Sequence, residues 1–355
     1  MEKSVYQAHL AEQNNGLQNS RVINELVTYL VENHAIERSI IKDNPEKYFR
    51  WFRFHNGEIV PFLLQEDHLK MRTDRNRDLV TGDQQKEIYN KKITICGLSV
   101  GRAITKSFIR SGIGNEYDLY DADKISPTNL NRLDVGNNEL GLSKIDSVVK
   151  EMSQIDPYIK FNVNYDGFQV KNSGQLTKDK KTDLVCDEMD DIKSKVLLAI
   201  SAREYGIDYE LVTDLGHKSV IDVSQFSKGE DRLYGGRITD KEAQLILDSD
   251  LSEKDEQKFI TKILGKWLLL GEVDLVLSII QKKERNLNGI PQLYSTVNGG
   301  ASRAVEVTRA LLLGEINSRS FRQVFKPAKH SSLNSKSQKL KKSKEVMMAL
   351  LSSNR

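Results

Sequence analysis

The run from Lys92 to Asp121 limits what this chain can become. Ile93 to Cys96 is short, apolar and rich in β-branched residues, which suits a strand buried on both faces of a parallel sheet. Gly97, Ser99 and Gly101 then make a turn of small residues. Ala103 to Arg110 predicts a helix, stopped by Gly112 and Gly114. Tyr117 to Tyr120 predicts a second strand, with Asp121 at its tip. In such a βαβ unit the turn lets an anion sit against backbone N–H groups at the positive end of a helix. An acid at the tip of the second strand can hold a pair of ribose hydroxyls. A nucleotide is the first ligand class these residues point to.

The turn itself reads GLSVG, and a glycine turn alone fits a purely structural role equally well. It also matches the G-x-S-x-G elbow of hydrolases, with Ser99 as nucleophile. That elbow needs an acid and then a histidine further on, whereas the strand after Gly114 ends in an acid where a ribose would want one. Beyond it, Asp121, Asp123, Asn129, Arg132 and Lys144 form a polar string on a segment that Pro127 keeps from being helical. A further buried strand, Asp183 to Cys186, runs into Asp187, Glu188, Met189, Asp190 and Asp191.

Together, GLSVG (97–101), DAD (121–123), TNLNRL (128–133), GLSK (141–144) and VCDEMDD (185–191) resemble the ThiF/MoeB family of adenylyltransferases, relatives of ubiquitin-activating enzymes. The resemblance spans about Arg75 to Gly216. It implies a Rossmann-like fold that binds ATP and Mg²⁺. It implies activation of the C-terminal carboxylate of a small protein or peptide, ubiquitin-like proteins included, as an acyl-adenylate with release of pyrophosphate. By the same resemblance Gly97, Ser99 and Gly101 cradle phosphate, with Arg102 as an extra contact. Asp121 takes the ribose, Asn129 lies near the phosphates, Arg132 and Lys144 meet the triphosphate, and Asp190 binds the metal. A homodimer is implied, in which Arg77, with Arg75 in reserve, reaches the neighbour's nucleotide. Asp123 is expected to cap its loop or help with metal, Asp191 to line the site, and Asp187 to be an N-cap or loop carboxylate.

Two departures stand out. No cysteine follows Asp191, so no acyl group can pass to a thiol there; the reaction ends at the adenylate or goes to an external nucleophile. The glycine turn is one residue short and carries Ser99 and Val100. Two other readings therefore stay open: an NAD(P)- or FAD-dependent oxidoreductase, and a non-catalytic partner subunit. The first shares the turn and the ribose acid but leaves Asn129, Arg132, Lys144 and Asp190 without work.

Composition fits a folded chain: 355 residues, 38% apolar and 29% charged. A net charge of +3 is too small to argue for nucleic acid. The two cysteines, Cys96 and Cys186, lie in apolar runs and read as small core residues. There is no C-x-x-C pair for a tetrathiolate zinc. No signal-peptide profile or membrane-length apolar run occurs, so a cytoplasmic protein without membrane contact is expected.

The fold class expected is α/β: a doubly wound, mostly parallel sheet with an N-terminal α+β extension and a helical C-terminal part. The extension should cover residues 1–70, with 1–18 loose or briefly helical, a helix from Val22 to Leu30, and strands at Tyr48 to Phe54 and Ile59 to Leu64. The ThiF-like domain should cover 71–325, with a helical insert at about 240–285. Helices are expected at Lys144 to Ile155 and Ile192 to Glu204, and strands at Phe161 to Tyr165 and Tyr209 to Asp214. Ser219 to Asp240 should be irregular with short strands. Helices should follow at Lys241 to Asp248, Glu253 to Leu270, Gly271 to Ile280 and, after Gly299 and Gly300, at Ala301 to Leu313. Residues 326–355 read as a flexible basic tail, the one place where nucleic acid is a conceivable partner.

Overall fold

The computed structural model describes residues 4–6, 9–10, 20–34, 36–171, 173, 182–265 and 291–326. The chain begins with β1 (Ser4–Tyr6), β2 (His9–Leu10), α1 (Ser20–His34), α2 (Arg38–Asp43), β3 (Phe49–Arg53), β4 (Ile59–Leu63), α3 (Gln65–Arg72) and α4 (Gly82–Tyr89). The central part is β5 (Lys92–Cys96), α5 (Val100–Arg110), β6 (Glu116–Tyr120), α6 (Lys144–Ile155), β7 (Lys160–Asn164), β8 (Leu184–Asp187), α7 (Ile192–Glu204) and β9 (Asp208–Leu215). Then come β10 (Lys218–Ser224), α8 (Asp240–Asp248), α9 (Glu253–Leu264), α10 (Tyr294–Leu312) and β11 (Ser320–Phe325).

One eight-stranded sheet has the order β1-β7-β6-β5-β8-β9-β10-β11. Its middle, from β7 to β9, is parallel, as continuous apolar runs such as KITIC and LVCD require when both faces are covered. β5 lies at the centre. The chain first winds to β6 and β7, then returns to β8 and β9 on the other side. In such a sheet the crevice at the strand ends beside that reversal is where ligands bind. Ile104, Phe108 and Ile109 of α5 and Val297, Ala301, Ala304 and Leu311 of α10 are buried in the same core.

The sheet also departs from expectation. Its edges are antiparallel: β1 on β7, and β10 between β9 and β11. Residues 4–6 and 9–10 are strands, not a loose start. β10 is a seven-residue strand in a stretch where short strands in irregular structure were expected. Its acid hid it: buried Asp222 takes Arg237 at 2.7 Å and Arg322 at 2.7 Å, an ion cluster that pins β11 to β10. Helix α10 starts at Tyr294, so Gly299 and Gly300 lie inside it. A Cβ at Gly300 would stand 3.2 Å from Val212 and 3.3 Å from Ser219, so the glycine permits close helix–sheet approach. The helix predicted to run to Leu270 ends at Leu264, capped by Gly265 with φ +84°. The helix expected at 271–280 and the basic tail expected after Lys326 lie outside the described residues.

Strands β2, β3 and β4 form a second sheet. Leu26, Val27 and Leu30 of α1 pack with Ile41, Phe49 and Leu63. Arg72 pairs with Asp156 at 2.9 Å and Tyr158 donates to the Leu63 carbonyl at 2.7 Å, tying this layer to the main sheet. Among the described residues no helix is long and apolar enough to cross a membrane.

Candidate active site

At Gly97 the chain squeezes between two strand ends. Its φ is +91°, its N–H donates to the Tyr120 carbonyl at 2.8 Å, and a Cβ there would lie 2.5 Å from the Glu188 carbonyl oxygen. Gly101 does a different job in the first turn of α5. A Cβ there would lie 2.9 Å from Ile95, so the glycine lets α5 press onto β5. Between them the buried Leu98 donates its N–H to Asp121 Oδ2 at 2.6 Å. The tip of β6 thus holds the glycine turn in place.

Asp121 is buried, and its Oδ1 accepts from the Asp123 N–H at 2.7 Å. Burial pushes its pKa up, opposed by Lys144 and the two backbone N–H groups. Lys144 Nζ lies 2.7 Å from Asp123 and 3.7 Å from Asp121. Lys144 is itself buried and is the first residue of α6, after its cap Ser143. A cation at the positive end of a helix is electrostatically unfavourable. Here the two aspartates offset that cost, and an arriving polyanion would offset it further.

Arg132 is held on the loop after β6. Its Nε donates to Ser99 Oγ at 3.2 Å and its Nη1 to the Thr128 carbonyl at 2.9 Å. Asn129, buried beneath it, accepts from the Ser126 N–H at 2.9 Å and so shapes the loop. Arg132 feels the carboxylates of Asp214 and Asp190, while burial lowers its pKa. Asp190 is exposed just past the end of β8. Asp214, near the end of β9, did not figure among the expected site residues. Gln292 donates to its Oδ1 at 3.0 Å, its Oδ2 is buried with no hydrogen-bond partner among the described residues, and burial raises its pKa to about 6. The sequence signal was present: like Asp121, it is an acid at the end of an apolar strand.

Several expected residues take other work. Arg102 is buried and bonded to Ser147 at 2.7 Å and to Glu151, so it is no phosphate contact. Asp191 caps α7, accepting from the Ser194 N–H at 2.7 Å, so it does not line the site. Asp187, expected as a cap or loop carboxylate, accepts from the Met189 N–H at 3.1 Å in the loop after β8. It ends β8, fully buried, paired with Lys195 at 3.1 Å and bonded by the Tyr209 hydroxyl. Arg77 is exposed and pairs with Asp74 at 2.9 Å. The adjoining Asn76 bonds Gln85 at 2.9 Å, and Gln85 reaches the Gly112 carbonyl just past α5. Arg77 therefore sits by the end of α5 opposite Gly97, outside its own chain's site.

Residues 73–226, which carry every one of these groups except Gln292, match the ThiF family. The chain carries a ThiF-family domain. Uncharacterized protein MT1398 of Mycobacterium tuberculosis is 28% identical over 76% of this chain and 36% of its own length. Ubiquitin-like modifier-activating enzyme 5 of Caenorhabditis elegans is 29% identical over 34% of this chain and 31% of its own. The chain thus spans about a third of the length of these curated relatives. Among solved structures, PaaA superposes with a TM-score of 0.53 at 13% identity, covering 90% of this chain and 96% of that one. Escherichia coli MccB, solved with MccA-N7isoASN, gives 0.50 at 13% identity over 92% and 94%. At that identity the likeness is one of fold, and it runs over most of the chain.

Proposed function

We propose that this ThiF-family chain is an ATP-dependent adenylyltransferase that activates the C-terminal carboxylate of a small protein or peptide. The observation that carries this is that Arg132 bonds Ser99 of the Gly97–Gly101 turn while Lys144 pairs with Asp121, the acid that holds the same turn. In adenylation a carboxylate oxygen attacks the α-phosphate, the new O–P bond forms, and pyrophosphate leaves. Negative charge meets negative charge, so the site must supply cations and a fixed grip. Asp121 grips the ribose, with lone pairs left after its two backbone bonds. Lys144 is a point charge for the phosphates and Arg132 a planar fork.

Asp190, an exposed carboxylate just past the end of β8, offers the hard oxygen donor that Mg²⁺ takes together with substrate phosphates and would hold it. Bound there, Mg²⁺ would neutralise phosphate charge. The carboxylate substrate is proposed from the ThiF domain and from a relative named for activating a ubiquitin-like modifier. Arg77, exposed and far from its own site, suits a homodimer in which it serves the neighbour.

The test is ATP–pyrophosphate exchange with peptides ending in a free Gly-Gly carboxylate. Exchange that vanishes in Arg132→Ala and Asp190→Ala supports the reading. Stabilisation by NADH and not by ATP in thermal shift contradicts it. A protein that is active yet monomeric in sedimentation removes the role given to Arg77.

A further inference from the structure

The fork of Arg132 is held along one edge. Its Nε donates to Ser99 Oγ at 3.2 Å, and its Nη1 donates to the Thr128 carbonyl at 2.9 Å and to Asn131 Oδ1 at 3.0 Å. These bonds take the one hydrogen on Nε and both on Nη1. No described residue accepts from Nη2, so that edge keeps both its donors for a ligand. Of the three acceptors, Asn131 Oδ1 belongs to an exposed side chain, which a loop by itself would leave to sample other rotamers.

Asn131 is fixed from far away. Its Nδ2 donates to the Gln292 carbonyl at 2.8 Å, across 161 positions of sequence, so the contact is a product of the fold and not of the loop. Gln292 is fixed in turn: its Nε2 donates to Asp214 Oδ1 at 3.0 Å, near the end of β9. Just beyond, Thr296 Oγ1 donates to the Gly216 carbonyl at 2.9 Å and Ser219 Oγ to the Thr296 carbonyl at 2.9 Å, pinning the start of α10 to the β9–β10 hairpin. A chain of hydrogen bonds thus runs from a strand of the main sheet to the guanidinium. Groups set on strands are held more tightly than groups on loops. An arginine ordered before its ligand arrives also loses less rotamer freedom on binding.

We propose that Asn131 and Gln292 are positioning residues of this site: together they couple β9 to Arg132 and hold its Nη2 edge for the triphosphate. This rests on the adenylyltransferase reading for the nucleotide that Arg132 meets. Asn131 has no role assigned to it within TNLNRL, and Gln292 lies beyond residues 73–226.

The test is a double-mutant cycle on the full chain, with ATP affinity read by calorimetric titration. Asn131→Ala and Gln292→Ala should each weaken ATP binding about three- to ten-fold. Neither should weaken it further once Arg132→Ala is in place, since both act through that side chain. Gln292→Glu sets carboxylate against carboxylate at Asp214 and should match Gln292→Ala. Adding Asp214→Asn gives the new carboxylate an amide donor and should return affinity to within about two-fold of the wild type. No recovery there overturns the part given to Gln292. Losses that persist undiminished beside Arg132→Ala overturn the proposal, because a defect in the fold at large would add to the loss of the arginine instead of vanishing with it. Full affinity in both single variants also overturns it, and leaves the function standing so long as Arg132→Ala binds ATP weakly. Full affinity in Arg132→Ala removes the role given to the arginine, and the proposal with it.

Discussion

Arg132 donates from Nε to Ser99 Oγ at 3.2 Å, and Ser99 is the residue from which α5 starts. One contact thus couples the loop after β6 to the glycine turn. Ser99→Ala should free the guanidinium to swing and weaken ATP binding about three- to ten-fold, the equivalent of one ordinary hydrogen bond. Arg132→Ala should cost more, since the charge goes too. Calorimetric titration with ATP measures both.

Lys144 stands between a buried and an exposed aspartate. Lys144→Met should leave Asp121 without its cation and destabilise the fold by about 3 kcal/mol in urea unfolding. Adding Asp121→Asn should restore part of that stability without restoring pyrophosphate exchange. Full recovery of exchange would show that neither group touches the nucleotide.

The two turn glycines should respond differently to alanine. At Gly97 the new methyl meets backbone at 2.5 Å and φ is +91°, so a loss above about 3 kcal/mol is expected. At Gly101 the obstacle is the Ile95 side chain at 2.9 Å, which can turn aside, and about 1–3 kcal/mol is expected. Thermal unfolding of the pair ranks them.

Glu210 is fully buried, bonded by the Thr308 hydroxyl at 2.8 Å, and desolvation raises its pKa from 4.5 to about 8. The folded state therefore holds a proton that the unfolded chain releases above 4.5. Stability from this group is complete at low pH and falls as pH climbs from about 4.5 toward 8, on the order of 1 kcal/mol per unit. Glu210→Gln should flatten that slope. Melting temperatures between pH 5 and 9 check it, and parallel curves for both proteins would refute it.

Arg102 supplies a control. Arg102→Met should lower stability by breaking the bonds to Ser147 and Glu151, yet leave ATP affinity of the folded protein within about two-fold, since the side chain is spent inside the core.

The parallel half of the sheet was readable because runs such as KITIC and LVCD have only one comfortable home, buried on both faces. The site's outline was readable for a related reason: acids and cations at strand ends stand out against apolar runs. What escaped depended on partners distant in sequence. β10 reads as no more than a short strand until Arg237 and Arg322 arrive to neutralise Asp222. Gly299 and Gly300 read as the lead-in to a helix, until β9 and β10 demand a surface without a Cβ at Gly300. Arg102 read as a phosphate ligand because nothing local reveals that Glu151 claims it. Asp214 ended an anticipated strand, but its orphan oxygen is a property of packing.

The sheet closes with segments from opposite ends of the described chain, Ser4–Tyr6 along one border and Ser320–Phe325 along the other. Both border ladders join residues far apart in sequence, so zipping them is a late event and correspondingly slow. Nascent molecules would meanwhile offer the naked flank of β10 to one another, and yields at high expression should depend on how quickly Phe321 and Val324 reach it.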